Sequence, residues 1–70
     1  MLKNFNYNLI ETISIISRSL YRYDKYMEDA AGCDNCQKIW LQLKESRQRE
    51  LSQLLKELKI HIDSGQLELE

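Results

Sequence analysis

The sequence predicts an all-α fold, a long antiparallel helical hairpin that dimerises into a four-helix bundle. Three observations carry that expectation. The chain has no proline and only two glycines, Gly32 and Gly65, so a helix is interrupted only near the middle and near the end. Apolar residues recur in steps of three and four on both sides of Gly32, the spacing of one helical face. Both apolar stripes are wider than a single helix–helix contact uses, so burial calls for a second copy.

Seventy residues make one domain, and a chain this short needs a staple, a metal or a partner to supplement its small core. Hydrophobic residues at 43% and charged residues at 30% place it among foldable sequences rather than disordered ones. Ten Lys and Arg against eleven Asp and Glu leave a net charge of −1. That balance supplies no electrostatic reason to expect nucleic acid or an anionic membrane as partner. The first residues are moderately apolar, but Asn4, Asn6, Asn8 and Glu11 interrupt them, far short of the ~20 apolar residues of a membrane span. The expected location is the cytoplasm, where thiols are kept reduced.

The first helix is expected over about residues 4–31. Leu9, Ile13, Ile16, Leu20, Tyr23, Met27 and Ala30 form its stripe, which Leu2 and Phe5 extend backwards and Ile10, Tyr21 and Ala31 widen. The segment "ISIIS" alternates like a strand, yet its neighbours on both sides keep the helical period. Gly32 ends the helix because it can adopt the left-handed conformation favoured just past a helix terminus. The turn spans 32–34, with Asp34 or Asn35 as the cap of the next helix.

The second helix is expected over about 35–63, with Ile39, Trp40, Leu43, Leu51, Leu54, Leu55, Leu58 and Ile62 as its stripe. Ser64 and Gly65 end it, and the tail 64–70 should find little to pack against. Helices of this length reach ~42 Å at 1.5 Å per residue, and so short a connection forces them antiparallel. The expected dimer interface is Leu9, Ile13, Ile16, Leu20, Trp40, Leu51, Leu54 and Leu58.

Between Leu43 and Leu51 the second stripe is polar, reading "KESRQRE". Antiparallel pairing sets residue i opposite roughly residue 66 − i, so this gap faces Ser17, Arg18, Ser19 and Tyr21. Polar groups inside a bundle are costly unless paired. An ion-paired polar layer of Glu50 with Arg47 or Arg18 that fixes the helix register is the reading from the residues alone.

Several segments here resemble ferritin-like helical hairpins, the encapsulated-ferritin type most closely. They are Asp24-Lys25-Tyr26, Asp29-Ala30, Ile39-Trp40, the run "KESRQRE" and Leu54-Leu55 before Leu58, within about residues 18–60. The resemblance implies the fold and a dimeric assembly. It also implies that the metal ligands are missing. Arg47 stands where the family has the Glu of its E-x-x-H motif, Glu50 where it has His, and Ser19 near its first-helix Glu. Di-iron sites need clustered carboxylates and imidazole, so no ferroxidase activity is expected.

Cys33 and Cys36 are the only cysteines. A single C-x-x-C supplies two of the four ligands of a closed zinc site, and His61 lies near the opposite end of the hairpin. No cofactor is expected; zinc or iron on Cys33 and Cys36 would need two chains whose turns meet. The redox alternative rests on the helix dipole, which lowers the pKa of thiols at a helix start. The alternative to both is a turn with small, half-buried thiols, or a local Cys33–Cys36 bond that staples the loop. Tyr7, Tyr21, Tyr23 and Tyr26 cannot all face one way, so one or two should pack on Trp40. His61 reads as either an exposed residue or one favoured by the C-terminal dipole. Asp24, Glu28 and Asp29 should complement Lys25, Lys38 or a cap, with a divalent-ion site there as the weaker reading.

No nucleophile–base pair falls within reach, so no enzyme is expected. The functional expectation is a structural or protein-interaction module that forms a homodimer. The alternatives are a metal or thiol-redox protein using Cys33 and Cys36, with Asp29 and Asp34 assisting, and a regulatory adaptor that binds a partner helix.

Overall fold

The computed structural model describes residues 1–70. Two helices, α1 (Asn4–Asp29) and α2 (Asp34–Asp63), pack as a hairpin. Asn6 faces His61, Asp24 faces Lys44, and Met27 faces Gln37, so residue i does lie opposite about 66 − i. No helix is long and apolar enough to cross a membrane.

α1 stops at Asp29, short of the expected 31, because the reversal starts on Ala30 and Ala31 before the chain reaches Gly32. The Ala30 N–H donates to the Tyr26 carbonyl (3.0 Å), Ala31 to Glu28 (3.1 Å) and Cys33 to Ala30 (2.9 Å). Gly32 takes φ +91°, a conformation that residues carrying Cβ resist. The cap of α2 is Cys33, in place of the expected Asp34 or Asn35, and its Sγ accepts the Cys36 N–H at 3.2 Å.

α2 ends in a Schellman motif. Gln66 N–H reaches the His61 carbonyl (2.8 Å) and Gly65 N–H the Ile62 carbonyl (3.2 Å), with Gly65 at φ +74°. That turn sends the tail back along the hairpin, contrary to the expectation that it would pack against little. Leu69 forms an antiparallel bridge with Leu2, the Glu70 N–H donates to the Met1 carbonyl (2.8 Å), and Lys3 stands 4.0 Å from Glu68.

The seam follows a strict alternation of threes and fours. On α1 it runs through Asn6, Leu9, Ile13, Ile16, Leu20, Tyr23, Met27 and Ala30; on α2 through Gln37, Trp40, Lys44, Arg47, Leu51, Leu54, Leu58 and His61, all buried or half-buried. Four apolar assignments from the sequence are thereby corrected. Phe5 gives its place to Asn6, Ile62 gives its place to His61, and Ile39 and Leu55 lie outside the seam, about half exposed. Tyr21 is 88% exposed and widens nothing. The outermost positions, such as Glu11, Arg18 and Lys25 on α1 and Gln42, Arg49 and Lys56 on α2, are uniformly polar and exposed.

The molecule is a thin slab, 51 × 19 × 12 Å, with a radius of gyration of 15.7 Å, against about 11 Å for a compact chain of this length. It exposes 5292 Å², where a compact monomer of its mass exposes about 4,600 Å². Ile16 is the only buried hydrophobic residue.

Candidate functional site

Three features of the slab bear on function: a polar clasp at its open end, a charged layer at its middle, and two long faces that meet a dithiol turn. The clasp is built on Asn6, which is fully buried. Its Nδ2 donates to the Gln66 carbonyl at 2.9 Å, and its Oδ1 lies 2.6 Å from His61 Nδ1. A carbonyl can only accept, so this contact orients the amide and requires the proton of His61 on Nδ1. Nε2 lies 3.1 Å from Glu57 Oε1, a contact that becomes a hydrogen bond when Nε2 is protonated as well. Phe5 lies over the ring, centroid to centroid 4.8 Å. His61 is thus buried, at 6% exposure, which overturns the exposed alternative; its Asn6 partner makes that burial tolerable.

At the middle, Arg47 occupies a seam position that leucine would normally fill. Nη2 donates to Glu50 Oε1 at 3.0 Å, within the same helix. Nε stands 2.6 Å from Oε2 but out of line for a hydrogen bond, and so is buried without a partner. Arg18 is exposed on the outer edge of α1. Asp24 and Lys44 make the ion pair that crosses the hairpin, at 2.6 Å, with the Lys44 stem lying in the seam. Arg47→Leu should therefore raise stability by roughly 1 kcal/mol, because it exchanges a half-buried ion pair for an aliphatic side chain that extends the Leu51–Leu54–Leu58 stretch of the seam. Urea unfolding measures this, and a loss of stability would show that Arg47 holds the register.

The seam divides the slab into two faces. One carries Phe5, Thr12, Ser19, Tyr26, Cys36, Leu43, Glu50 and Glu57 beside the seam, and shallow clefts run along it. One of them, about 470 Å³, is lined by Phe5, Asn8, Leu9, Thr12, Leu54, Glu57 and His61. The other face carries Ile10, Leu41, Leu55 and Ile62, between 38% and 54% exposed. Ser17 and Gln48 lie between them, and Asp24 is already held by Lys44. The first face is mixed, with two carboxylates among aromatic and aliphatic side chains; the second carries aliphatic side chains and no free carboxylate.

At the turn, Tyr23 and Tyr26 pack on Trp40, with ring centroids at 5.9 and 4.9 Å, while Tyr7 and Tyr21 face outward. Cys33 is half-buried and Cys36 exposed, both as free thiols. Hydrogen bonds from the Cys36 thiol and then the Cys36 backbone N–H hold the Cys33 pKa below the ordinary thiol value. Partial desolvation opposes them, and the Asn35 N–H adds a smaller downward effect. Cys36 is pushed upward, first by donating to Cys33, then by desolvation and by the Cys33 charge. The Cys33 thiolate therefore supports the α2 cap above the ordinary thiol pKa, and that support is lost as pH falls through the lower folded value.

Lys25 holds Glu28 and Asp29 at 3.9 and 3.2 Å. No three residues of the His, Cys, Asp or Glu type come together as a metal-binding group. The eight residues expected at the dimer interface lie in the seam, against the other helix of their own chain, and all but Ile16 are only half-buried. The clasp escaped a reading by hydrophobicity, although the signal was present: the alternation of threes and fours, continued through polar residues, reaches Asn6, Arg47 and His61. The chain is an all-helical hairpin of two helices; no family model, curated protein or solved structure matches it, so the ferritin-like resemblance gains no support beyond that form.

Proposed function

We propose that this protein is a non-enzymatic structural or protein-interaction module that works as a homodimer, two hairpins pairing through their aliphatic faces into a four-helix bundle. The observation that carries the reading is a slab with one buried hydrophobic residue and four half-exposed aliphatic side chains on one face. A face of 51 × 19 Å offers an area comparable to the ~800 Å² per partner of a specific interface. Charge selects the face. Pairing the first face with itself would bury the Glu57 carboxylates of both copies, and Glu50 with its Arg47 partner, at a desolvation cost that the aliphatic face avoids. The half-buried seam residues Leu9, Ile13, Leu20, Leu51, Leu54 and Leu58 would complete their burial as the core of the bundle. On this reading the protein is a relative of ferritin-like hairpins that kept the scaffold, with Ser19, Arg47 and Glu50 in place of the ligands.

Sedimentation of the purified chain at micromolar concentration tests the reading. The expected result is a dimer that dissociates on dilution. A folded monomer across that range would overturn self-association and leave the aliphatic face to a different protein.

A further inference from the structure

We infer that Cys33 and Cys36 form a reversible dithiol–disulfide site at the head of α2, with Cys33 as the attacking thiol, Cys36 as the resolving thiol and a low-molecular-weight disulfide as co-substrate. The inference stands on the turn alone and is independent of the dimer. Its first support is placement. As the cap residue, Cys33 turns its Sγ back over the first turn of α2, where it accepts the Cys36 N–H at 3.2 Å. Two cysteines set across one helical turn are within the separation a disulfide spans. The second support is access. Cys33 is half-buried rather than enclosed, among the exposed Gly32, Asp34 and Asn35, which leaves it open to an incoming disulfide. Cys36 is exposed beside it, on a shallow cleft of about 230 Å³ with Tyr26, Asp29, Ala30 and Trp40.

The third support is the division of labour between the thiols. The hydrogen bonds that stabilise a charge on Cys33 leave the proton on Cys36, and the thiolate is the nucleophile in thiol–disulfide exchange. The steps balance. Cys33 thiolate attacks one sulfur of glutathione disulfide, forming a mixed disulfide while the S–S bond breaks and a glutathione thiolate leaves and takes a proton. Cys36 then gives its proton to solvent and attacks Cys33 Sγ, forming the Cys33–Cys36 bond and expelling the second glutathione. The protein loses two electrons and two protons, which the glutathione disulfide takes up in becoming two thiols.

Trp40, the only tryptophan, shares the cleft with Cys36 and reports on the bond, since a disulfide beside an indole quenches its emission. The test treats the reduced full chain with glutathione disulfide and follows intact mass and Trp40 emission together. The wild type should lose two hydrogens in mass, dim in step, and recover both in excess reduced glutathione. Cys36→Ser should stop at a lasting glutathione adduct on Cys33. Cys33→Ser keeps a capping oxygen, so it should fold normally and acquire its adduct more slowly. A lasting adduct on the wild type, disulfide-linked chains as the main product, or equal adduct rates in the two variants would each overturn the assignment.

Discussion

Asn6→Ala is expected to cost roughly 2–4 kcal/mol, the largest effect of any single truncation in this chain. The side chain is fully buried and both of its polar atoms are engaged, Nδ2 with the Gln66 carbonyl and Oδ1 with His61. Removing it strands a carbonyl and a ring nitrogen, and each stranded buried group costs about 1–3 kcal/mol. A domain of this length holds about 4–10 kcal/mol of stability in total, so the loss threatens folding itself. It should also release the tail, because Asn6 is the side chain that fastens Gln66 to α1. Removing both partners is less severe than removing one, since no buried group is then left facing a missing mate. Asn6→Ala combined with His61→Leu should accordingly recover part of the loss. Urea midpoints at a fixed protomer concentration measure both variants. A change within about 0.5 kcal/mol for Asn6→Ala, the range of ordinary surface substitutions, would show that the clasp contributes little.

Leu55→Glu should raise the dimer dissociation constant by about 100-fold or more. Leu55 is 49% exposed on the aliphatic face, so the interface gains about half of the 1.5–3 kcal/mol that full burial of such a side chain provides. Two-fold symmetry places the substitution in the interface twice, and the new carboxylate adds a desolvation penalty on each side. Together these exceed the ~2.8 kcal/mol that a 100-fold change requires. Ile60→Glu is the matched control, since Ile60 is similarly exposed, at 54%, on the first-face side of α2. It should leave the dissociation constant unchanged, and both variants should keep the helical content of the parent. Dissociation by Ile60→Glu with no effect of Leu55→Glu would reverse the assignment of faces.

The hairpin was legible because its determinants are local. An unbroken run of helix-compatible residues to either side of Gly32, and steps of three and four within each run, define two helices and a reversal without reference to anything distant. The same local rule misled wherever two residues satisfied it equally. Counting back from Leu9, both Phe5 and Asn6 fall on a helical step, and counting forward from Leu58, so do His61 and Ile62. Hydrophobicity favours Phe5 and Ile62. The structure buries Asn6 and His61, because each supplies the partner the other needs across 55 residues of chain. Arg47 follows the same pattern, held in the seam by spacing and by Glu50 one turn on.

Sequence alone determined that this protein is two long helices with a short reversal and more apolar surface than one contact can cover. Tertiary structure decided which polar residues enter the seam, that a thiol rather than an oxygen caps α2, where the tail docks, and how charge divides the two faces. The physical reason is one of range. Helical periodicity is written into neighbours a few positions apart, whereas the cost of burying a polar group depends on partners that only the folded chain brings together.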